Sequence, residues 1–173
     1  MKIPEIIRNR RSVRAFQKKD LPEGAAELLV EAACWAPSAG NLQPWEFVAV
    51  TDDAVKERLV EAARGQSFLA EAPLVFVVCV DPKRTTPRYG DRGANLYCLQ
   101  DTAAAIQNVL LTAVDNGLSG CWIGAFDEES AARAVKLPVG IRPVAMIPIG
   151  YPDQSPQPRP RRPVSEVIHR DHW

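Results

Sequence analysis

Apolar positions along the chain fall into separate runs of helical and strand period. Pro4 followed by Ile6 and Ile7, with Ile3 beside them, predicts a short helix ending near Arg8. Asp20-Leu21-Pro22-Glu23 resembles a capping box, and Ala25, Leu28, Leu29, Ala32, Ala33 and Ala36 follow at helical spacing until Pro37 halts them. Trp45 to Thr51 has strand composition, and Asp52-Asp53 is placed to cap a helix running to about Gly65. Leu74 to Val80 is continuously apolar and β-branched, the pattern of a strand covered on both faces. Asp81 to Arg92, with Pro82, Pro87 and Gly90, reads as a polar loop.

A long helix follows, with Leu96, Leu99, Ala103, Ile106, Leu110 and Ala113 along one face. Its other side carries Ala104, Val109, Leu111 and Val114, which predicts burial on more than one side, at a domain centre or a subunit interface. Strands are expected around Trp122–Phe126 and Val144–Ile149, with Pro148 favouring an edge or a bulge. The tail from about residue 152 to 173 has five prolines up to Pro163, so it is extended and must dock elsewhere or stay loose. No internal repeat or linker divides residues 1–173, and helices and strands mix without a βαβ rhythm. A single α+β domain is the expected class.

Charge changes this picture in one respect. The 21 basic and 21 acidic residues balance, so no net field draws the chain to nucleic acid or to a membrane. The basic residues are unevenly placed, however. Seven lie between Lys2 and Lys19, four more are Arg159, Arg161, Arg162 and Arg170, and none falls between Gly93 and Ala132. Basic ends around an unbasic middle raise the question whether the two ends meet around an anion. The four cysteines are widely spaced and read as reduced core residues of a cytoplasmic protein. His169 and His172 lack nearby thiolates or a carboxylate pair, so no metal site is expected.

Three segments carry candidate chemistry. Arg10-Arg11-Ser12-Val13-Arg14 offers guanidinium forks and a hydroxyl to a phosphate, although alone it reads equally as a solvated basic surface. Pro37-Ser38-Ala39-Gly40-Asn41-Leu42-Gln43-Pro44 follows a halted helix with small residues that a planar ligand can approach closely. Its Ser38, Asn41 and Gln43 present donors and acceptors to a heteroaromatic edge, against the plainer reading of a helix-to-strand loop. In Ser119 to Phe126, glycines stand among bulky apolar residues, marking backbone that something approaches closely. No GxGxxG opens a βαβ unit, which argues against a Rossmann nicotinamide domain.

In this order, and with Asp101, Asn108, Ile147–Pro152, Arg161-Arg162-Pro163 and His169, the segments resemble the nitroreductase family of FMN enzymes over nearly the whole chain. The resemblance implies a central mixed β-sheet flanked by helices, in an intertwined homodimer with non-covalent FMN at the interface and NAD(P)H as electron donor. It implies that Arg10, Ser12 and Arg14, with Arg11 close by, bind the phosphate and ribityl end, joined by Arg161 and Arg159 from the tail. Pro37, Ser38, Ala39 and Asn41 would come from the partner subunit against the flavin ring. Gln66 would meet the pyrimidine edge, and Ile123, Gly124 and Ala125 would bring backbone amides near N5 and O4.

The chemistry would then belong to the flavin, with ping-pong transfer to a nitroaromatic, quinone or similar small acceptor and no essential protein acid or base. Alternatives within the same fold are dehalogenation, ring oxidation, flavin breakdown, or flavin binding without catalysis. The chain is short for the family. Arg88, Tyr89 and Arg92 stand where a substrate entrance is expected, and read equally as a solvated turn.

Overall fold

Strand β2 (Leu74–Val80) is buried along its whole length and organises everything around it. The structure is a computed structural model, and it describes residues 2–173. In chain order the further elements are α1 (Glu5–Asn9), α2 (Ala25–Cys34), β1 (Trp45–Val50), α3 (Asp53–Ala62) and α4 (Phe68–Glu71). After β2 come α5 (Thr86–Arg92), α6 (Cys98–Asp115), β3 (Ser119–Gly120), α7 (Glu128–Ala134) and β4 (Arg142–Gly150).

Among the described residues the strands form one sheet in the order β1-β2-β4-β3, each neighbouring pair antiparallel. Successive side chains of a strand point to opposite faces. Val75, Val77 and Cys79 therefore join Met146, Leu59 and Ala131 on the α3/α7 side. Leu74, Phe76 and Val78 join Ile147, Ile149, Leu29 and Ile106 on the α2/α6 side. Each such aliphatic side chain, fully buried, contributes about 1.5–3 kcal/mol. The result is an α+β sandwich of helices on both faces of one sheet. The mixture of strand directions expected from the sequence narrows to one parallel bridge, Ser12 to Gly120.

Several elements differ from the sequence reading. α2 is entered through Gly24 at φ 79° rather than through a capping box at Asp20. Asp52 does cap α3, its carboxylate accepting from the Val55 N–H at 2.9 Å. The supposed loop 81–92 is helical: a 3-10 turn at Pro82–Arg84, then α5, then a π turn at Gly93–Tyr97. Pro82 and Pro87 stand at helix starts, where a missing N–H costs nothing. On α6 Ile106, Leu110 and Ala113 of the expected face are buried, together with Cys98, Asp101, Thr102, Ala105 and Val109, while Leu99, Ala103, Leu111 and Val114 stay half-buried. Cys34 is exposed rather than in the core, whereas the other three cysteines are buried.

The strand expected at Trp122–Phe126 is reduced to one bridge at Ile123, and Pro148 accounts for the break between that bridge and β3. Ser119 and Gly120 pair with Gly150 and Ile149, and the same register continues to the isolated bridge between Ile123 and Met146. Met146 exchanges both backbone hydrogen bonds with Ile123, so Pro148, two residues on, turns its nitrogen to the same side. It faces Cys121 with no N–H to donate, and the ladder breaks there. β4 is thus an interior strand, paired on both sides. Its bulge lies at Val144, away from Pro148, where the pairing shifts between Ala145 opposite Val78 and Pro143 opposite Cys79.

Candidate active site

α1 ends at Asn9, and the chain then runs extended beside β3, with the Val13 N–H donating to the Gly120 carbonyl at 3.1 Å. Val13 and Phe16 are buried in the core, while Ser12 is half-buried and Arg14 exposed. Further along, residues 151–153 lie antiparallel to this segment. The Gln17 N–H donates to the Tyr151 carbonyl and the Asp153 N–H to the Ala15 carbonyl, both at 2.9 Å. With the Gln154 carboxamide assigned oxygen-inward, its oxygen then accepts from the backbone N–H groups of Arg14 and Ala15.

This pairing answers the question raised by the basic ends. A cleft of about 890 Å³ is lined by Arg8, Arg10, Arg11 and Arg14 from the start of the chain and by Arg159 and Arg161 from its end. Ser12 lies on the same wall, and no carboxylate lines it. Among the described residues none of the six arginines has an ion-pair partner. Arg11 is steered by the carbonyls of Arg8 and Arg10, and Arg161 donates to the Arg159 carbonyl at 3.2 Å. Such a set of unneutralised forks suits a dianionic phosphate. Asn9, Gln154 and Gln157 also line the cleft. Sequence reasoning passed over them because isolated amides in polar segments carry no pattern.

The 121–126 segment borders the same region. Burial pushes the Cys121 thiol up, while Arg14, Ser12 and Arg10 pull it the other way. The Arg14 guanidinium stands 5.9 Å from the Phe68 ring centroid. Gln66 donates through Nε2 to the carbonyls of Ala63 (3.0 Å) and Ala125 (3.2 Å), which leaves its oxygen as an acceptor. The Ile123 N–H is spent on Met146, at 2.9 Å. Of the three amides proposed for a flavin ring, only those of Gly124 and Ala125 lack an acceptor among the described residues. A Cβ built on Gly124 would meet nothing within 4 Å, so the backbone there is open to a flat ligand.

Pro37, Ser38, Ala39 and Asn41 do not line the arginine cleft of their own chain. Their loop is tightly determined nonetheless. Gly40, Asn41 and Gln43 all have left-handed backbone, at φ 58°, 56° and 49°. For the two non-glycine residues this costs of order 1–3 kcal/mol each, so the surroundings must impose it. Ser38 Oγ accepts from the Gln43 N–H (3.1 Å), and Arg84 Nε donates to the Leu42 carbonyl (3.0 Å). Asp101, nearly buried on α6, accepts from the Ala39 N–H at 3.1 Å. Burial raises its carboxyl above the usual range, against the lowering effect of that hydrogen bond.

Comparison with known proteins gives a consistent picture. The nitroreductase family model matches residues 7–67 and 61–151. The chain is 32% identical over 186 residues to an NADH dehydrogenase of Thermus thermophilus, covering 92% of this chain and 91% of that protein. It is 30% identical over 176 residues to the oxygen-insensitive NADPH nitroreductase of Salmonella typhimurium, covering 98% and 73%. Among solved structures, the NADPH:FMN oxidoreductase of Vibrio harveyi in complex with NAD+ superposes with a TM-score of 0.89. That match has 27% identity and covers 98% of this chain and 76% of the other.

Proposed function

The chain belongs to the nitroreductase family, and from that premise we propose that it is an FMN-dependent NAD(P)H oxidoreductase passing electrons to a small organic acceptor. The relatives support an NAD(P)H-dependent flavin oxidoreductase. The observation that carries the choice of FMN is the cleft in which arginines from both ends converge without a carboxylate.

The residues present fit FMN. Its phosphate requires concentrated, unneutralised donors, which Arg10, Arg14, Arg159 and Arg161 supply around Ser12. Its ring requires backbone that can be approached closely and that has hydrogen bonds to give, which Gly124 and Ala125 supply. The Gln66 oxygen offers an acceptor to the pyrimidine edge. Held by these residues, FMN would supply the hydride-accepting redox chemistry, with NAD(P)H as donor and the small acceptor served in turn, in a ping-pong order. In this reading the protein's part is to hold the phosphate, orient the ring and exclude water.

The second half of the site comes from another copy of the chain. One chain alone leaves Leu99, Ala103, Leu111 and Val114 of α6 half-buried and Ile3, Ile7 and Trp35 exposed. Its tail carries Val164, Val167, Ile168 and Trp173 into solvent. These surfaces suit a homodimer in which the tail docks on the partner and the Pro37–Asn41 loop of one chain covers the ring held by the other. Among the described residues no helix is long and apolar enough to cross a membrane.

An anaerobic absorbance titration with NADH and then NADPH tests the reading. Bleaching of bound flavin by at least one donor, with recovery on adding a quinone, is expected. Protein that binds flavin but is bleached by neither donor would contradict it.

A further inference from the structure

Resting on the flavin reading above, we propose that Arg88, set against Tyr89, determines specificity for redox partners that carry an anionic group on or near a planar ring. The residues stand on the 82–97 segment, which packs closely on itself. Thr85 is fully buried and its hydroxyl donates to the Pro82 carbonyl at 3.1 Å. Gly93 packs so tightly there that a Cβ would fall 2.8 Å from the Thr85 carbonyl oxygen.

The platform closes on one point of the Ser38–Asn41 loop. A Cβ on Gly40 would lie 2.8 Å from both an Arg88 guanidinium nitrogen and the Tyr89 hydroxyl. The cation and the phenol therefore converge on the loop that, in the dimer, covers the ring. Tyr89 and Tyr97 meet edge to face with centroids 5.2 Å apart. The Arg88 guanidinium stands 5.4 Å from the Tyr89 centroid, and Arg92 stands 5.3 Å from that of Tyr97 while donating to its hydroxyl at 2.9 Å.

Neither Arg88 nor Arg92 has a carboxylate within 4.0 Å among the described residues, in a chain whose total charge is zero. Arg88 is exposed and Tyr89 is half-buried. An arginine propped on an aromatic face keeps its fork ordered at small entropic cost, and it matches a carboxylate or phosphate bidentately. The tyrosine edges beside it suit a flat ring. The shared chemistry is thus an anion beside a planar ring. Two sources supply it: an aromatic acceptor bearing a carboxylate, or the phosphates of the nicotinamide donor.

The test uses the flavin-loaded protein under anaerobic conditions, with Arg88→Ala and Arg88→Lys as variants. Oxidation of the reduced protein is followed with 4-nitrobenzoate and its neutral counterpart 4-nitrobenzamide. Reduction is followed with NADH and the neutral donor 1-benzyl-1,4-dihydronicotinamide. In Arg88→Ala, the charged-to-neutral ratio of rate constants should fall about tenfold in one of the two pairs, and Arg88→Lys, which keeps the charge but not the fork, should restore only part of it. A fall in the nitrobenzoate ratio supports the proposal with the acceptor as the anion, and a fall in the NADH ratio supports it with the donor. Ratios unchanged in both pairs would overturn it while leaving the flavin reading intact. An unsubstituted protein bleached by no donor would overturn the flavin reading, and this inference with it.

Discussion

The backbone N–H of Ala15 donates at 3.0 Å to the carboxamide oxygen of Gln154, a contact that fastens the tail to the opening segment at the rim of the arginine cleft. With the neighbouring bonds from Gln17 to Tyr151 and from Asp153 to Ala15, it makes the two ends of the chain one surface. Cofactor affinity in this account depends on that junction.

Arg14→Ala removes one charge-assisted fork, worth about 1.5–3 kcal/mol, and should weaken FMN binding roughly ten- to a hundredfold. Arg14 is exposed, so thermal stability without flavin should hardly change. Fluorescence titration with FMN, alongside melting of the flavin-free protein, checks both.

Gln154→Leu keeps the bulk of the side chain but cannot accept from Arg14 and Ala15. It should loosen the placement of Arg159 and Arg161 and weaken FMN several-fold, with a melting shift corresponding to about 1 kcal/mol or less. Unchanged affinity would mean that the tail arginines reach the anion without this clip.

Asp101 and Glu128 should respond to pH with opposite signs. Burial raises the Asp101 carboxyl in the folded state, so the stability linked to it is fully present below the ordinary carboxylate pKa and is lost as pH rises through the folded value. The hydrogen-bonded Arg142 holds Glu128 below its ordinary value, so that contribution is present above the ordinary pKa and is lost as pH falls through the folded one. The Arg142–Glu128 pair is bidentate at 2.8 Å, but its side chains are 49% and 45% exposed. Solvent screening limits it to about 0.5 kcal/mol. Melting curves between about pH 3 and pH 7 should show Asp101→Asn gaining on the unsubstituted protein as pH rises, and Glu128→Gln falling behind it. Asp101→Asn still accepts from Ala39, so it should keep flavin affinity better than Asp101→Ala does.

Gly120→Ala should destabilise the fold and the site together. The added methyl would fall 2.7 Å from the Pro148 carbonyl oxygen and 2.8 Å from Ile149 Cδ1, both in the sheet core. Overpacking of this kind costs about 1–3 kcal/mol. Because Ser12 and Val13 bridge to Gly120, FMN affinity should drop as well. Denaturant unfolding and an FMN titration of the same variant measure the two effects.

What the sequence conveyed depended on whether a local pattern had one physical meaning. The unbroken apolar run of β2 and the Asp52 cap of α3 have few alternatives, and both are as expected. The uneven placement of arginine likewise announced that the two ends belong together. Pro82, Pro87 and Gly90 were ambiguous, since prolines begin helices as readily as they fill loops, and Gly90 at φ 55° kinks α5 without ending it. The reduced strand at 122–126 was illegible for another reason. Its continuity with β3 is broken opposite Pro148, more than twenty residues away in the chain and adjacent only after the sheet has formed. Gln154 gave no signal, because one amide in a proline-rich tail acquires its role only from the segment it meets.

The central claim is that arginines from both termini grip one phosphate. Parallel binding titrations of the flavin-free protein with FMN and with riboflavin, which differ only in that phosphate, test it most directly. FMN should bind at least about a hundredfold more tightly, with the difference shrinking as salt is added. Equal affinity for the two flavins, or no binding of either, would contradict the account.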